Sequence, residues 1–213
     1  MNKIKAVIFD YDGVIAESVN VKTQAFAELY KPYGDEISQK VMEHHEANGG
    51  ISRFEKFKIY HKEFLGLEIN QSKVDELASQ FSRLVLHKVI ESPYVIGAYD
   101  FISSNFLKYD FYISTGTPYN EIETILEKKN LRAFFKEVYG SPEKKDIHVQ
   151  KILKKHNYNR NEVVFIGDAI TDRDAARNNG IKFIGRYTTT ELIKEEKYSV
   201  NSLKELPEIL KLM

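Results

Sequence analysis

Four short clusters in this 213-residue chain carry groups that could do chemistry. They are Asp10-Tyr11-Asp12-Gly13, Ser114-Thr115-Gly116-Thr117, Lys145, and Gly167-Asp168 with Asp172 four residues beyond Asp168. Four ionised aspartates against one lysine sum to about −3, which is strong repulsion if they lie a few ångströms apart. A hard divalent cation relieves it, and an all-oxygen donor set without His or Cys suits Mg²⁺ better than Zn²⁺. Magnesium in such sites is held by one or two carboxylates together with substrate phosphate, and the lysine and hydroxyls then suit phosphoryl oxygens. Asp10 and Asp12, two apart on an extended segment, face the same way, and Gly13 lets the backbone turn sharply behind them. With no cysteine in the chain, a thiolate metal site, a cysteine nucleophile and a disulfide are excluded.

These clusters need elements that bring them together. Ile4–Phe9, Phe111–Ser114 and Val163–Ile166 are short, rich in β-branched or aromatic residues, and followed by Gly, Asp, Ser or Thr, as buried parallel strands are. Weaker strand signals lie at Glu137–Tyr139 and Lys182–Ile184. Helical spacing runs through Tyr119–Asn130 behind Pro118, through Lys144–His156, and through Thr171–Asn179 up to Gly180. The alternation predicts a doubly wound α/β parallel sheet, with ligands expected beyond the carboxyl ends of its strands. Between Val19 and Ile90 only helical patterns occur: Thr23–Tyr33, Ile37–Ala47, Phe54–Leu65 and Val74–Val89. Roughly seventy helical residues exceed the dozen or so that a crossover connection needs. An inserted α-helical cap over residues 17–91 is therefore expected, with 1–16 and 92–213 forming the core.

Composition narrows the function. Lys plus Arg number 31 against 31 Asp plus Glu, so no net charge draws the chain to nucleic acid or an anionic membrane. An apolar fraction of 42% is too high for disorder. The apolar run Ala6–Phe9 is cut by Asp10, too short for a signal-peptide core, and no stretch approaches a membrane span. A cytoplasmic protein acting on a small molecule is expected.

The ordered set Phe9-Asp10-Tyr11-Asp12-Gly13-Val14, Ser114-Thr115-Gly116, Lys145 and Gly167-Asp168-x-x-x-Asp172 resembles the four motifs of the haloacid dehalogenase-like (HAD) hydrolases, and the helical insertion matches the position of their C1 cap. The resemblance implies an Asp10 nucleophile that forms an aspartyl-phosphate, and an Asp12 that protonates the leaving oxygen and then deprotonates water. It implies Mg²⁺ on the Asp10 carboxylate, the Asp12 carbonyl and Asp168, with Asp172 a ligand or just outside the ligand set. Thr115 and the Gly116 amide would hold phosphoryl oxygens, and Lys145 would stabilise charge at the transferring group. True dehalogenases lack the second aspartate that Asp12 supplies, so the implied activity is a phosphatase acting on a small phosphorylated metabolite such as a sugar phosphate.

Each residue also has a plainer reading. Asp172 suits the first turn of a helix whatever its function, and Thr171-x-x-Asp174 reads as a capping pattern. Thr115 is preferred to Ser114 because Gly-Thr-Pro follows it. Lys145 is preferred to Lys144 because Val149, Ile152 and Leu153 then form its helix's buried stripe. His44-His45 is expected on a solvated or loop-packed face, since adjacent helical residues point apart. Gly50-Ile51-Ser52-Arg53 looks like the loop with which some sugar-phosphate mutases of the superfamily contact a second phosphate, though Ser52 and Glu55 also form a capping pattern. Arg53 as a substrate contact makes a mutase the alternative. Against it, Gly-Ser-Pro-Glu-Lys-Lys departs from the mutases' Lys-Pro-x-Pro. A receiver-type phospho-acceptor domain is remoter, because receivers carry the acceptor aspartate after a middle strand and lack such an insertion.

Overall fold

Strand β1 (Ala6–Phe9) is buried along its whole length, which an apolar run achieves only when both faces of its sheet are covered. The computed structural model describes residues 3–187 and 196–213. Within them β1 lies inside a six-stranded sheet of order β3-β2-β1-β4-β5-β6, formed with β2 (Asp110–Pro118), β3 (Glu137–Ser141), β4 (Val163–Gly167), β5 (Lys182–Arg186) and β6 (Ser199–Val200). All the pairings are parallel. The chain leaves β1 for β2 and β3 on one side and returns to β4 on the other. The strand order thus reverses at the carboxyl end of β1, where α/β sheets open a crevice.

Alternation along the strands divides the core. Val7, Phe9, Phe111, Ile113, Val164 and Ile166 face one side, where Phe101 of α5 (Ala98–Asn105), Ile122 of α6 (Tyr119–Lys128) and Leu206 of α9 (Leu206–Leu212) join them. Ala6, Ile8, Tyr112 and Phe165 face the other, against Val149 and Ile152 of α7 (Lys145–His156) and Ala175 and Ala176 of α8 (Ile170–Asn178). The expected strands are present with small shifts in their ends. Helices α5 and α9 and strand β6 were not expected. Eight residues make a short helix, and two residues of strand carry no alternation to read.

Between β1 and α5 the chain forms four α-helices: α1 (Val19–Tyr30), α2 (Asp35–Ala47), α3 (Arg53–Ile59) and α4 (Gln71–Glu91). Phe26 anchors them, its ring 4.2 Å from Phe81, 5.7 Å from Phe57 and 5.6 Å from Tyr60. Two expectations need correcting. Helix α1 spans Val19–Tyr30 instead of Thr23–Tyr33, so Lys22 lies on its first turn. The pattern over Phe54–Leu65 is not one α-helix, because α3 passes at Tyr60 into a π-helical turn, Tyr60–Phe64, that stacks Tyr60 on Phe64 at 5.6 Å.

Phe111 meets Phe9, Phe101 and Phe135 within 6.3 Å and is almost fully buried. Phe111→Ala should lower unfolding free energy by about 3–5 kcal/mol in urea denaturation. A loss below about 1 kcal/mol would show that this cluster does not hold the sheet together.

Candidate active site

Strand register brings the first and fourth motifs side by side. Phe9 pairs with Ile166, so Asp10 leaves β1 beside Gly167 and Asp168 at the end of β4. Asp10 is 3% exposed and accepts from the Tyr11 amide at 2.6 Å and from Lys145 Nζ at 2.8 Å. Lys145 opens α7 and also donates to Asp172 Oδ1 at 2.6 Å, so one buried ammonium bridges two carboxylates. Lys144 precedes the helix as its N-terminal flanking residue, and its side chain makes no such bridge.

Asp172 does more than carry charge. Helix α8 begins at Ile170, and Asp172 Oδ2 accepts the Ala169 amide at 3.1 Å. This corrects the capping pattern expected at Thr171-x-x-Asp174: Asp172 holds the capping position, and Asp174 pairs with Arg173 at 3.0 Å.

Asp10, Asp168 and Asp172 offer carboxylate oxygens within 4.8 Å of one another. No hydrogen-bond donor among the described residues reaches the Asp168 carboxylate. Burial, together with the charges of Asp10 and Asp172, raises its pKa well above the usual carboxylate range. Burial likewise pushes Asp172 up to about 7; Lys145 opposes the shift and Asp10 adds to it. Lys145 in turn is raised, because the two carboxylates outweigh the effect of its burial. Gly13 keeps room for Asp168: its φ is +73°, and a Cβ there would stand 2.0 Å from Asp168 Oδ2. An all-oxygen cluster with more carboxylates than cations fits a hard divalent ion such as Mg²⁺.

Asp12 faces a different environment. Its carboxylate accepts from Ser18 Oγ at 2.6 Å, from Thr117 Oγ1 at 3.1 Å and from Lys22 Nζ, which also donates to Thr117 at 2.6 Å. Burial would raise its pKa, but the Lys22 charge and these hydrogen bonds hold it below the usual value. Ser18 and Lys22 were not anticipated from the sequence, and Thr117, part of the second cluster, had no partner assigned; Lys22 comes from the inserted helices and its side chain crosses to the sheet.

On β2 the pairing with β3 passes from Ser114 directly to Pro118, so Thr115-Gly116-Thr117 lies where the ladder is irregular. The Thr115 hydroxyl accepts the Thr117 amide at 3.2 Å, and Ser114 turns to the other face, 2.9 Å from His148 Nδ1. The Gly50 loop closes over this stretch: a Cβ on Gly116 would meet the Gly50 carbonyl at 3.0 Å, and Thr171 donates to the Gly49 carbonyl at 3.0 Å.

Arg53 is 4% exposed and forms a two-pronged pair with Glu121 of α6 at 2.7 and 2.9 Å, a bond to Ser82 at 2.9 Å, and a face contact with Phe81 at 4.5 Å. It borders a cavity of about 40 Å³ that Asp10, Asp12, Lys22, His45 and Gly116 also line. A larger cleft of about 380 Å³ reaches Thr115 and Lys145 from outside. His45, expected on a solvated or loop-packed face, is instead buried between Phe26 of α1 and Lys56 of α3.

Residues 7–186 match the family described as haloacid dehalogenase-like hydrolase, and the chain belongs to that family. A phosphorylated carbohydrates phosphatase of Thermotoga maritima is 28% identical over 191 residues, covering 85% of this chain and 84% of its own. A β-phosphoglucomutase from Clostridium difficile superposes with a TM-score of 0.79 at 20% identity, with 98% of each chain covered. The HAD hydrolase YfnB from Bacillus subtilis, solved bound to magnesium, gives 0.72 at 19%, covering 98% of this chain and 99% of its own. At these identities the two structures speak for the fold. Among the described residues no helix is long and apolar enough to cross a membrane.

Carboxylates whose pKa values are raised by folding remove stability as pH climbs from the ordinary aspartate value through the raised one. Thermal melting should therefore show that Mg²⁺ raises the midpoint more at pH 8 than at pH 5.5, and that Asp168→Asn flattens the difference. Equal shifts at both pH values would argue against a cation among these carboxylates.

Proposed function

We propose that this protein is a Mg²⁺-dependent phosphatase that hydrolyses a small phosphorylated metabolite, of the sugar-phosphate class, through an aspartyl-phosphate. The observation that carries the reading is the pairing of Asp10, fixed by Lys145 and the Tyr11 amide, with Asp12 on the wall of the same cavity. The relative from Thermotoga maritima, named for phosphorylated carbohydrates, supports the substrate class.

On this reading an Asp10 oxygen attacks phosphorus as the bond to the ester oxygen breaks, and Asp12 gives the departing oxygen its proton. Water then attacks the aspartyl-phosphate and surrenders a proton to Asp12. Inorganic phosphate leaves and the Asp10 carboxylate is restored. Lys145, the Thr115 hydroxyl and the Gly116 amide hold the phosphoryl oxygens throughout. The Asp10 and Asp168 carboxylates and the Asp12 carbonyl would hold Mg²⁺, with Asp172 beside them. The bound ion would supply the positive charge that lets a phosphate dianion approach these carboxylates. Residues 17–91 act as the cap, closing over a core of 1–16 and 92–213 to exclude water.

Arg53 favours hydrolysis over a mutase. A guanidinium that meets a second phosphate must offer its fork to that phosphate, and here the fork is occupied by Glu121. Arg53 therefore shapes the cavity wall and ties the cap to α6.

Phosphate release from a panel of sugar phosphates, followed by ³¹P NMR, tests the reading. Inorganic phosphate should appear with Mg²⁺ and stop on EDTA addition, and no isomeric sugar phosphate should accumulate. Asp10→Asn should reduce kcat by about a thousandfold or more. Full activity in Asp10→Asn would sink the mechanism, and an isomeric product would transfer the protein to the mutases.

A further inference from the structure

His45, on α2, presents its ring to the cavity that Asp10 and Asp12 line. Its Nδ1 lies 2.6 Å from the Nζ of Lys56, and its ring packs 4.8 Å from Phe26. Lys56 is 1% exposed, and among the described residues no carboxylate pairs with it; its other polar contact is the His45 carbonyl at 3.5 Å. An ammonium has donors only, so Nδ1 must accept and the single ring proton must sit on Nε2. Nε2 has no partner among the described residues. The other polar side chains that the inserted helices send to this wall are engaged, Lys22 with Asp12 and Arg53 with Glu121.

We propose that His45 donates a hydrogen bond from Nε2 to a hydroxyl oxygen on the substrate's leaving group, and that Lys56 is the positioning residue that fixes the donor tautomer. The inference rests on the phosphatase reading, in which the leaving group lies between Asp12 and the inserted helices. A hydroxyl is the matching acceptor because the donor is neutral: burial and the Lys56 charge hold the His45 imidazole far below its ordinary pKa. Lys56 is itself pulled down to about 7, by burial and by the charges of Lys22 and Lys145, and its ammonium form, dominant below neutrality, is the one that leaves Nε2 as the ring's donor. The cavity wall therefore selects for a leaving group with a hydroxyl within reach of His45, as a sugar has and a simple aryl group lacks.

The test compares the best hexose or pentose phosphate with phenyl phosphate at pH 6.5, where Lys56 is an ammonium. His45→Ala should lower kcat/KM on the sugar phosphate by roughly ten- to a hundredfold, mostly through KM, and at least tenfold more than on phenyl phosphate. His45→Gln keeps an N–H donor and should recover part of the loss. Nitrogen-15 NMR should show His45 as the Nε2–H tautomer in the wild type and a mixture in Lys56→Met. An equal loss on both substrates, no loss, or a wild-type Nδ1–H tautomer overturns the proposal while leaving the phosphatase reading intact. Failure of the wild type to release phosphate from either ester removes both.

Discussion

Three carboxylates at the end of a buried sheet share one ammonium, and much of the structure is arranged to make that tolerable. Lys145 is almost fully buried, and it ties β1 through Asp10 to α8 through Asp172. Removing a charge from water costs several kcal/mol, offset only when geometry and hydrogen bonds are good. Here the bridge is supported from three directions: the Tyr11 amide on Asp10, the Ala169 amide on Asp172, and the first turn of α7 carrying the lysine. Asp168 alone has no such support, and it is the group whose proton affinity rises most clearly. A sheet whose register sets Phe9 beside Ile166 creates this crowding, and a bound cation would complete its compensation.

The same rule joins the inserted helices to the core. Lys22 reaches Asp12, Arg53 reaches Glu121, and Thr171 donates to the Gly49 carbonyl. These contacts are polar and directional, whereas the aromatic cluster around Phe26 packs the helices chiefly against one another. The apolar packing gives the helical layer its own shape, and the ion pairs set where it rests on the sheet. The helical layer and the sheet also share one continuous apolar cluster, so the ion pairs fix the register of a contact that is itself partly apolar.

Much of the sheet was legible because its information is local. A run such as Val-Val-Phe-Ile-Gly-Asp states its own burial and its own end, and Asp10, Asp12, Thr115, Lys145 and Asp168 stand next to such ends. What escaped depends on partners far along the chain. Lys22 acquires its place from Thr117, 95 residues away, and Arg53 from Glu121, 68 residues away. Nothing around Glu121 marks it as the mate of an arginine on another layer. Helix periodicity could not foresee that a lysine on the next helix would be buried beside His45. The capping role falls to Asp172 instead of Asp174 because the residue flanking α8 is Ala169 instead of Thr171, two positions earlier, and in a first turn that shift decides which carboxylate reaches back.

The cavity of about 40 Å³ between Asp12 and the inserted helices is flanked by two larger clefts, one of about 380 Å³ that reaches Thr115 and Lys145 and one of about 650 Å³ that reaches Asp12, Lys22 and His45. A substrate bound between Asp12 and the inserted helices meets two ion pairs, and on the proposed reaction they respond differently. Arg53 and Glu121 have no substitute partner in that reaction. Lys22 does have one. A phosphoryl or ester oxygen arriving beside it can take the ammonium that now holds Asp12 ionised. Asp12, still buried and without its cation, then gains proton affinity, because burial is the force that Lys22 now opposes. On the proposed reaction, a carboxylate that Lys22 holds ionised would thus become an acid where the ester oxygen needs a proton. Lys22, carried on the first turn of α1, would then link the position of that helix to the protonation state of Asp12.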